Sequence, residues 1–434
     1  MAETDTDAAD QFDARISPRK LNEGLPGLWR RYKKLPQNVF AISLVSLLND
    51  VSSEIIYPLL PIFLSSTLGA SARAIGIIEG SAESVSSLLK LFAGYFSDRL
   101  KQRKLLVVFG YGLATVVRPL LAFATSWHHV LAIRLTDRVG KGIRTAPRDA
   151  MIADAAVAEQ RGIAFGFHRA MDHFGAVIGP LLAYVIVYFL AVNSESPTAG
   201  EFTTIFLLAS LPALAAVLLA IFFMRESPVP AKSTAEVPKL SLRGFNSNFK
   251  RFLVVLALFT LSNSSDGFLI LRARDAGVSL AIIPLLWAAH HGTKVVSSLL
   301  GGDLSDRLGR KRLIVSGWIL YAAVYAGFGF ATDQLSIWIL FLIYGVYFGL
   351  VEGAEKALVA DLVSPEQRGT AYGLYNLAFG VTVLPASLLM GTIWDWKGPT
   401  TAFLFSAALG AAAALLLLIL VKSNTGQTLQ TRHA

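Results

Sequence analysis

The chain has 434 residues, of which 54% are hydrophobic and only 16% charged, and its formal net charge is +9. A soluble domain carries about a quarter charged residues, and each bilayer crossing needs about 20 largely apolar ones. The composition therefore indicates a polytopic membrane protein and excludes a soluble enzyme, a disordered protein and a nucleic-acid-binding protein. Because the chain has no cysteine, disulfides, thiol catalysis and thiolate metal sites are excluded as well.

Twelve apolar segments follow a polar tail, residues 1–35, in which we find no cleaved signal peptide. They predict an all-α integral membrane protein with transmembrane helices at 38–65, 73–97, 103–125, 128–154, 162–191, 203–224, 252–271, 279–302, 312–331, 335–361, 369–393 and 400–421. The fourth segment is the least apolar, because charged side chains recur along it between Arg134 and Asp149.

Basic residues indicate the topology. With the amino terminus inside, most of the 39 Lys and Arg residues fall in the tails and in loops on the inner side, and few fall on the other side. The positive-inside rule then predicts that both termini are cytoplasmic. We expect a multi-pass protein of the bacterial inner membrane.

The chain divides into two similar halves. We predict a cytoplasmic tail over 1–35, a six-helix bundle over 36–224, a cytoplasmic linker over 225–251, a second six-helix bundle over 252–421 and a tail over 422–434. The phrase Gly94–Leu100 recurs as Gly302–Leu308, and Glu159–Gly162 recurs as Glu366–Gly369 at nearly the same spacing. Such a duplication is typical of secondary transporters, which bind substrate between the halves near the midplane.

These phrases resemble the major facilitator superfamily over nearly the whole chain after residue 35. The segment 302–311 is similar to the family's signature after helices 2 and 8, which is thought to latch the outward-facing state. The resemblance implies that an Asp of this loop caps a helix end and that an Arg pairs with an acid on helix 4. Carried over to this chain, the gating loop contains Gly94, Asp98, Arg99, Asp154 as the acidic partner, Gly302, Asp306 and Arg307.

A second resemblance lies on helix 5. The spacing of Gly166, Gly175, Gly179 and Pro180 is similar to the antiporter motif of the drug:proton exporters in this superfamily. Glycine allows a neighbouring helix to approach closely, and proline weakens the helix locally. Ala183 stands where the family usually has another glycine. The resemblance implies proton-coupled antiport and export.

Helix 4 carries a third resemblance, because Arg134 matches an arginine that is thought to influence the coupling proton in family exporters. This chain adds Arg138, Lys141, Arg144 and Arg148. At 3.6 residues per turn, residues 134, 138, 141, 145 and 148 share one face. Ionisable groups at membrane depth normally face a partner or a cavity and indicate function. The alternative is that such residues form neutral pairs that only hold helices together.

Two acids on helix 1, Asp50 and Glu54, lie one turn apart. From the helical rise, we expect Asp50 to pair with Arg138 or Lys141, and Glu54 to pair with Arg134. In the family, helices 1, 4, 7 and 10 line the central cavity. A carboxylate beside a cation stays ionised until the cation moves, and then takes a proton. We therefore assign proton coupling to Asp50, Glu54 and Arg134, with Asp266 as a third acid.

The remaining polar side chains predict a substrate cavity. Its candidate residues are Asn49, Arg138, Lys141, Asn263, Glu352, Glu355, Lys356, His168, Arg169 and Asp172. His168 and Asp172 could form a metal or proton-relay site, but a hydrogen-bonded patch against helices 1 and 4 is favoured, and we predict no metal and no cofactor. The prolines at 58 and 61 kink helix 1 and are expected to shape the external gate.

Together these features predict a transporter, not an enzyme: a secondary carrier that exchanges protons for a small organic solute by alternating access. The cations of helix 4 favour an anionic or zwitterionic solute. A metal-ion, metal-chelate or siderophore exporter and a proton symporter of an organic anion remain alternatives. A membrane enzyme or sensor would need a catalytic or nucleotide-binding motif, and none is visible in the sequence. We expect a monomer in the lipid bilayer without nucleic-acid partners.

Overall fold

The computed structural model describes residues 35–100, 102–156, 161–190, 198–226, 241–363 and 367–422. Over these ranges the chain is helical and forms twelve segments, as predicted. They are α1 (Gln37–Ile56), α2 (Ala72–Leu100), α3 (Arg103–Val117), α4 (Trp127–Ala155), α5 (Arg161–Phe189), α6 (Ala199–Phe223), α7 (Ser247–Ser262 and Gly267–Asp275), α8 (Ile283–Leu308), α9 (Arg310–Phe330), α10 (Gln334–Leu362), α11 (Arg368–Lys397) and α12 (Pro399–Leu420).

Two helices are broken. α1 ends at Ile56, and the chain continues through a helical turn at Leu60–Ile62 and a π-turn at Phe63–Thr67, which agrees with the kink predicted from the prolines. α7 is interrupted between its two parts, at residues 263–266. Broken transmembrane helices expose backbone groups, and in transporters they commonly border the transport path.

The region between the sixth and seventh helices differs from the predicted linker at one end. Asn246 accepts a hydrogen bond from the backbone N–H of Phe249 at 2.8 Å, and α7 begins at the next residue. Residues 247–251, predicted as linker, are therefore helical, because Asn246 is a favourable N-cap. Residues 227–240, like the tails at 1–34 and 423–434, lie outside the described ranges.

Hydropathy separates the twelve helices into two groups. Among the described residues, nine helices are long and apolar enough to cross a membrane by themselves. The other three are α2, α4 and α8, and each contains several charged residues. The fourth segment, the least apolar in the sequence, is nevertheless a continuous helix of 29 residues. Several of its charged side chains, such as Arg134 and Asp137, find partners within the protein, which is how such residues are tolerated at membrane depth.

The helices run alternately across the bundle, so each has one end on each side. We call the side of residues 35, 102, 226, 310 and 422 the basic side, and the side of residues 68, 124, 277, 332 and 398 the opposite side. Helices α1–α6 are called the N-half and α7–α12 the C-half. Between the halves, α2 packs against α11 and α5 packs against α8.

The halves are closed on the opposite side. The backbone N–H groups of Ala72 and Arg73, at the start of α2, donate to the Asp395 carboxylate at 3.0 and 2.9 Å. One turn earlier in α11, Gly391 lies against the same backbone, where a Cβ would come within 2.5 Å of the Ala72 carbonyl oxygen. The contact continues to Ser84 on α2, whose hydroxyl donates to the Gly380 carbonyl of α11.

One ion pair occurs twice, at matching positions of the two halves. Arg103 at the start of α3 pairs with Asp154 near the end of α4, and Arg310 at the start of α9 pairs with Asp361 near the end of α10. Asp154 is therefore bound by Arg103. The pairing predicted for it, with Arg99, involves a side chain outside the described residues.

Candidate functional site

The glycines of α5 bring this helix against α1. A Cβ on Gly175 would lie 3.0 Å from the Asp50 Cβ, and a Cβ on Gly179 would lie 2.6 Å from the Glu54 Cβ. These contacts agree with the close approach predicted from the glycine spacing. Pro180 lies inside α5, and the environment of Gly166 is outside the described part. Glycine is required here because α1 carries its two acids on the face that meets α5.

The two acids of α1 do not form the predicted ion pairs. The Asp50 carboxylate accepts a hydrogen bond from the Nδ2 of Asn49 at 3.0 Å. The Glu54 carboxylate accepts one from the indole Nε1 of Trp287 at 3.0 Å. Trp287 belongs to α8, so this bond joins the two halves. It was missed in the sequence because a single Trp on a helix is more often a packing residue.

Arg134 pairs with α2 instead of α1. Its Nε and Nη2 donate to the two carboxylate oxygens of Glu79 at 3.1 and 2.7 Å, and both side chains are buried. The predicted Glu54–Arg134 pair is therefore wrong. α4 packs along α2 at this depth, and the fork of Arg134 meets a carboxylate in the bidentate geometry that favours Arg.

Other charges of α4 hold the N-half together. Asp137 accepts from Arg118 at 2.9 Å, and Arg148 donates to the Ser46 hydroxyl at 2.9 Å. The guanidinium of Arg144 lies 4.4 Å from the ring centroid of Tyr111, a cation–π contact. These side chains point to α1 and α3. Part of the predicted stripe therefore holds helices together, which was the alternative interpretation of these charges.

Three cations of the N-half have no such partner. Within the described ranges, Lys90, Arg138 and Lys141 form no hydrogen bond or ion pair, and the Nε of Arg138 is buried without an acceptor. All three interact electrostatically with Glu83 on α2, and Lys141 also interacts with Asp50. The predicted Asp50 pair with Arg138 or Lys141 is therefore wrong as a direct contact. We call Lys90, Arg138 and Lys141 the cation cluster.

The acids of the C-half are held by neutral donors. Asp266, at the break in α7, accepts from the Tyr344 hydroxyl at 2.8 Å. Glu355 accepts from the Trp318 indole at 2.9 Å and from the Tyr375 hydroxyl at 2.8 Å. Glu355 was predicted to line the cavity, but it is buried between α9, α10 and α11, because two aromatic donors hold its carboxylate there.

Several remaining candidates lie where the halves face each other. Glu352 pairs with Lys356 at 3.0 Å and interacts electrostatically with Lys294 on α8 and Arg169 on α5. Lys294 has a ring contact, with its Nζ 4.4 Å from the Phe348 centroid, but no ion pair among the described residues. Sequence reasoning assigned no role to Lys294.

Two further candidates are structural in character. Asn263 is the C-cap of the first part of α7, and Asn49 is buried, with its carbonyl oxygen accepting from Arg118. Each therefore supports a helix end or a helix contact. Asn263 nevertheless lies in the break of α7, in the same segment as Asp266.

His168 and Asp172 form a buried polar patch on α5. The His168 Nε2 lies 3.5 Å from the Asp172 carboxylate, and Arg169 lies 3.6 Å from the same acid. No group of three His, Asp or Glu side chains that could hold a metal occurs among the described residues. The patch also interacts electrostatically with Arg148 of α4. Both ring nitrogens of His168 are buried without a hydrogen-bond partner among the described residues, so His168 joins the patch through ionic contacts instead of the predicted hydrogen bonds.

The gating signature lies in helices, not in the predicted loops. α2 extends to Leu100 and α8 to Leu308, so both copies of the signature continue their helix beyond the apolar segment. The side chains at Gly94, Asp98, Arg99, Gly302, Asp306 and Arg307 are outside the described residues. Sequence reasoning gave no role to Asp395, which lies in a polar stretch at the end of α11.

The comparisons identify relatives along nearly the whole chain. The Major Facilitator Superfamily model matches residues 42–289 and 252–433. An uncharacterised MFS-type transporter of Methanocaldococcus jannaschii is 34% identical over 394 residues, covering 89% of this chain and 96% of that protein. The fosmidomycin resistance protein of Escherichia coli is 27% identical, covering 82% and 86%. A probable sulfoacetate transporter of Cupriavidus necator is 26% identical, covering 85% and 90%.

A solved structure supports the fold. The nucleoside transporter NupG aligns with a TM-score of 0.74 at 14% identity, covering 88% of this chain and 100% of that one. The family and its structural neighbours are transporters and not enzymes. The twelve helices, the repeated ion pair and the sequence matches lead to one conclusion: this chain is a multi-pass secondary transporter that belongs to the major facilitator superfamily.

Proposed function

We propose that the chain exports a small organic anion or zwitterion from the cytoplasm in exchange for protons. The transporter is placed in the bacterial inner membrane with both termini and the basic side in the cytoplasm, and it works as a monomer. The single observation that carries the choice of solute is the cation cluster.

The cation cluster is suited to an anionic group. Insertion of a charged side chain at the bilayer centre costs about 2.5–3.5 kcal/mol on insertion scales, so cations without a direct partner need a compensating role. Arg138 and Lys141 lie on α4, which borders the path between the halves in this family. A carboxylate, sulfonate or phosphonate would satisfy their free donors. Glu83 provides charge balance when no solute is bound.

Coupling follows from alternate occupancy of the carrier by solute and proton. After the solute has left, movement of the cation cluster away from Asp50 and Glu83 removes the field that keeps them ionised, and protonation becomes favourable because a buried charge without compensation is costly. Glu54 connects the charge of the site with the contact between the two halves. Its carboxylate accepts a hydrogen bond from Trp287 of the C-half, so a change in its charge alters an interhalf contact.

We infer the direction of transport, export, from the antiporter-like signature of α5, whose glycines pack against the acids of α1. Two relatives are consistent with the solute class or the direction: one is named as a fosmidomycin resistance protein and another as a probable sulfoacetate transporter. These names describe those proteins, and here they guide the choice of solutes to be tested.

Binding can be tested on purified protein. We expect organic anions, with sulfoacetate among them, to raise the unfolding temperature, and lipophilic cations and divalent metals to have no effect. Arg138→Gln and Lys141→Gln should each weaken stabilisation about 10- to 100-fold in concentration, the loss expected for one charged hydrogen bond. Lys397→Gln, at the opposite side, is the matched control. Stabilisation by metals alone would favour the metal exporter instead.

Coupling needs a separate measurement. In everted vesicles with an imposed proton gradient, the unmodified chain should accumulate a solute that passed the binding test. Asp50→Asn and Glu54→Gln should abolish gradient-driven accumulation while counterflow of the solute in proteoliposomes persists. Unchanged accumulation in both variants would show that residues other than Asp50 and Glu54 bind the coupling protons. Accumulation with the gradient reversed would indicate symport.

Topology and assembly are tested directly because the chain lacks cysteine. A cysteine at Gln102 should react with an impermeant thiol reagent only in inside-out vesicles, and one at Thr332 only in right-side-out cells. The opposite pattern would invert the orientation. Light scattering of the detergent-purified protein should give one chain, about 46.8 kDa, after subtraction of the detergent.

A further inference from the structure

The pair α2 and α11 carries an interhalf contact that none of the assigned residues explains. Asp395 places one carboxylate oxygen on the backbone N–H of Ala72 and the other on that of Arg73, the first two residues of α2. The first N–H groups of a helix have no partner within it and lie at the positive end of the helix dipole. A carboxylate from the C-half therefore caps a helix of the N-half.

This cap depends on the conformation. α2 and α11 belong to different halves, and alternating access requires the halves to separate on the side that opens. Ser71 accepts from the backbone N–H of Ala74 at 3.2 Å and stays with α2 in every state. Asp395 moves with α11. Opening of the opposite side therefore removes two charge-assisted hydrogen bonds from the start of α2.

The two ends of this helix pair correspond to each other. α2 and α11 are antiparallel, so α11 begins on the side of the bundle where α2 ends. Asp395 lies two residues before the last residue of α11, and Asp98 lies two residues before the last residue of α2. The family resemblance gives Asp98 the role of capping a helix end. Each helix thus carries an Asp near its own end, on the side of the bundle where the other begins.

We propose that Asp395 is a positioning residue that stabilises the state closed on the opposite side, as the counterpart of Asp98 on the basic side. The two caps act in alternate states, because the halves separate on one side while they meet on the other. Transport requires each cap to break once per cycle. This role depends on the transporter fold, and neither on the solute nor on the coupling ion proposed above.

The test measures conformation directly. Spin labels at Thr125 and Thr332 report the distance between the halves on the opposite side, and labels at Gln102 and Arg312 report it on the basic side. Loss of a carboxylate from a helix N-terminus should raise the ratio of opposite-side-open to opposite-side-closed molecules about 5- to 30-fold. We expect this shift in Asp395→Ala, a smaller one in Asp395→Asn, and the reverse shift in Asp98→Asn.

Asp333 provides a matched control. It caps α10 on the same side, but from within the C-half, by accepting from the Ser336 backbone N–H at 2.9 Å and the Ser336 hydroxyl at 2.6 Å. These hydrogen bonds lower the pKa of the Asp333 carboxyl from its ordinary value. Asp333→Asn should leave the ratio of states unchanged. Equal shifts in Asp333→Asn and Asp395→Asn, or unchanged distances in both Asp395 variants, would overturn the proposal.

Discussion

Four buried acids that are bound within their own half show a difference between the two halves. In the N-half, Glu79 and Asp137 are bound by arginines, Arg134 and Arg118. In the C-half, Asp266 and Glu355 are bound by the hydroxyl or indole groups of aromatic residues. The duplication that relates the halves did not preserve this chemistry. When an acid bound to arginine is neutralised, the buried arginine loses the charge that compensates it. When an acid bound to a neutral donor is neutralised, its carboxyl oxygen can still accept the hydrogen bond.

The contrast separates charge binding from structural support. Arginine pairs fix α2, α3 and α4 within the N-half, whereas the cation cluster has no direct partner among the described residues and is the site we propose for the solute. The aromatic core of the C-half, in which Tyr321, Tyr325 and Tyr344 pack against one another, contains no comparable cluster among the described residues. Solute charge should therefore be recognised mainly by the N-half.

The largest effect should come from breaking the Arg134–Glu79 pair. Glu79→Gln leaves a buried guanidinium uncompensated and should destabilise the protein by about 3–5 kcal/mol. Glu355→Gln in the C-half keeps an acceptor for Trp318 and should cost about 1 kcal/mol or less. Thermal unfolding in detergent measures both changes.

A double variant controls for the loss of packing. Arg134→Met combined with Glu79→Leu removes both charges and should recover most of the stability lost in Glu79→Gln. If Glu79→Gln and Glu355→Gln lower the free energy of unfolding equally, the distinction between acids bound to arginine and acids bound to neutral donors has no energetic basis.

The cation cluster should behave in the opposite way. Lys141→Gln removes a charge without a direct partner, so folding stability should change by less than about 0.5 kcal/mol, while affinity for the solute falls about 10-fold or more. Lys294→Gln in the C-half should lower affinity less. Isothermal titration with a solute that passed the binding test compares them, and a larger loss in Lys294→Gln would move charge recognition to the C-half.

Close packing of α5 on α1 gives a smaller effect. Gly179→Ala places a methyl group 2.6 Å from the Glu54 Cβ and 2.8 Å from the Val51 carbonyl oxygen, and should cost about 1–3 kcal/mol. Gly112→Ala on α3 meets no atom within 4 Å and should be neutral or stabilising, since alanine favours a helix. A stable Gly179→Ala protein would show that α1 and α5 can separate.

The repeated ion pair gives the smallest effect and the most direct comparison of the halves. The side chains of Arg103 and Asp154 are 8% and 27% exposed, whereas those of Arg310 and Asp361 are 30% and 47% exposed. Asp154→Asn should cost about 1–2 kcal/mol, and Asp361→Asn less than about 1 kcal/mol, because water screens the exposed pair. Unfolding temperatures in the same detergent decide the order.

Much of the fold could be predicted because it depends on local patterns. Apolar segment length located all twelve helices, and the glycine spacing on α5 correctly indicated a close helix contact. The start of α7 was misplaced by five residues, since Asn246 as an N-cap weighs more than hydropathy at a helix end. The signature segments were expected in loops, but they are helical extensions of α2 and α8.

The site was harder to predict because partners depend on helix rotation. Depth along the helices suggested Glu54 for Arg134, but depth does not say which neighbour an arginine faces, and α2 supplied Glu79 at a similar level. Trp287 and Asp395 were missed for a related reason. Both act across the interface between the halves, and the spacing of residues within one segment contains no information about that interface.

The charges of α4 also have a consequence for biogenesis. A helix with this many ionised groups inserts unfavourably as an isolated span, because a central Arg or Asp adds about 2.5–3.5 kcal/mol to the insertion free energy. Among the described residues, nine other helices are apolar enough to cross a membrane and α4 is not. Its partners Glu79 and Arg118 are synthesised before it. Integration of α4 into the bilayer therefore relies on α2 and α3 remaining near the insertion machinery until the fourth helix emerges from the ribosome.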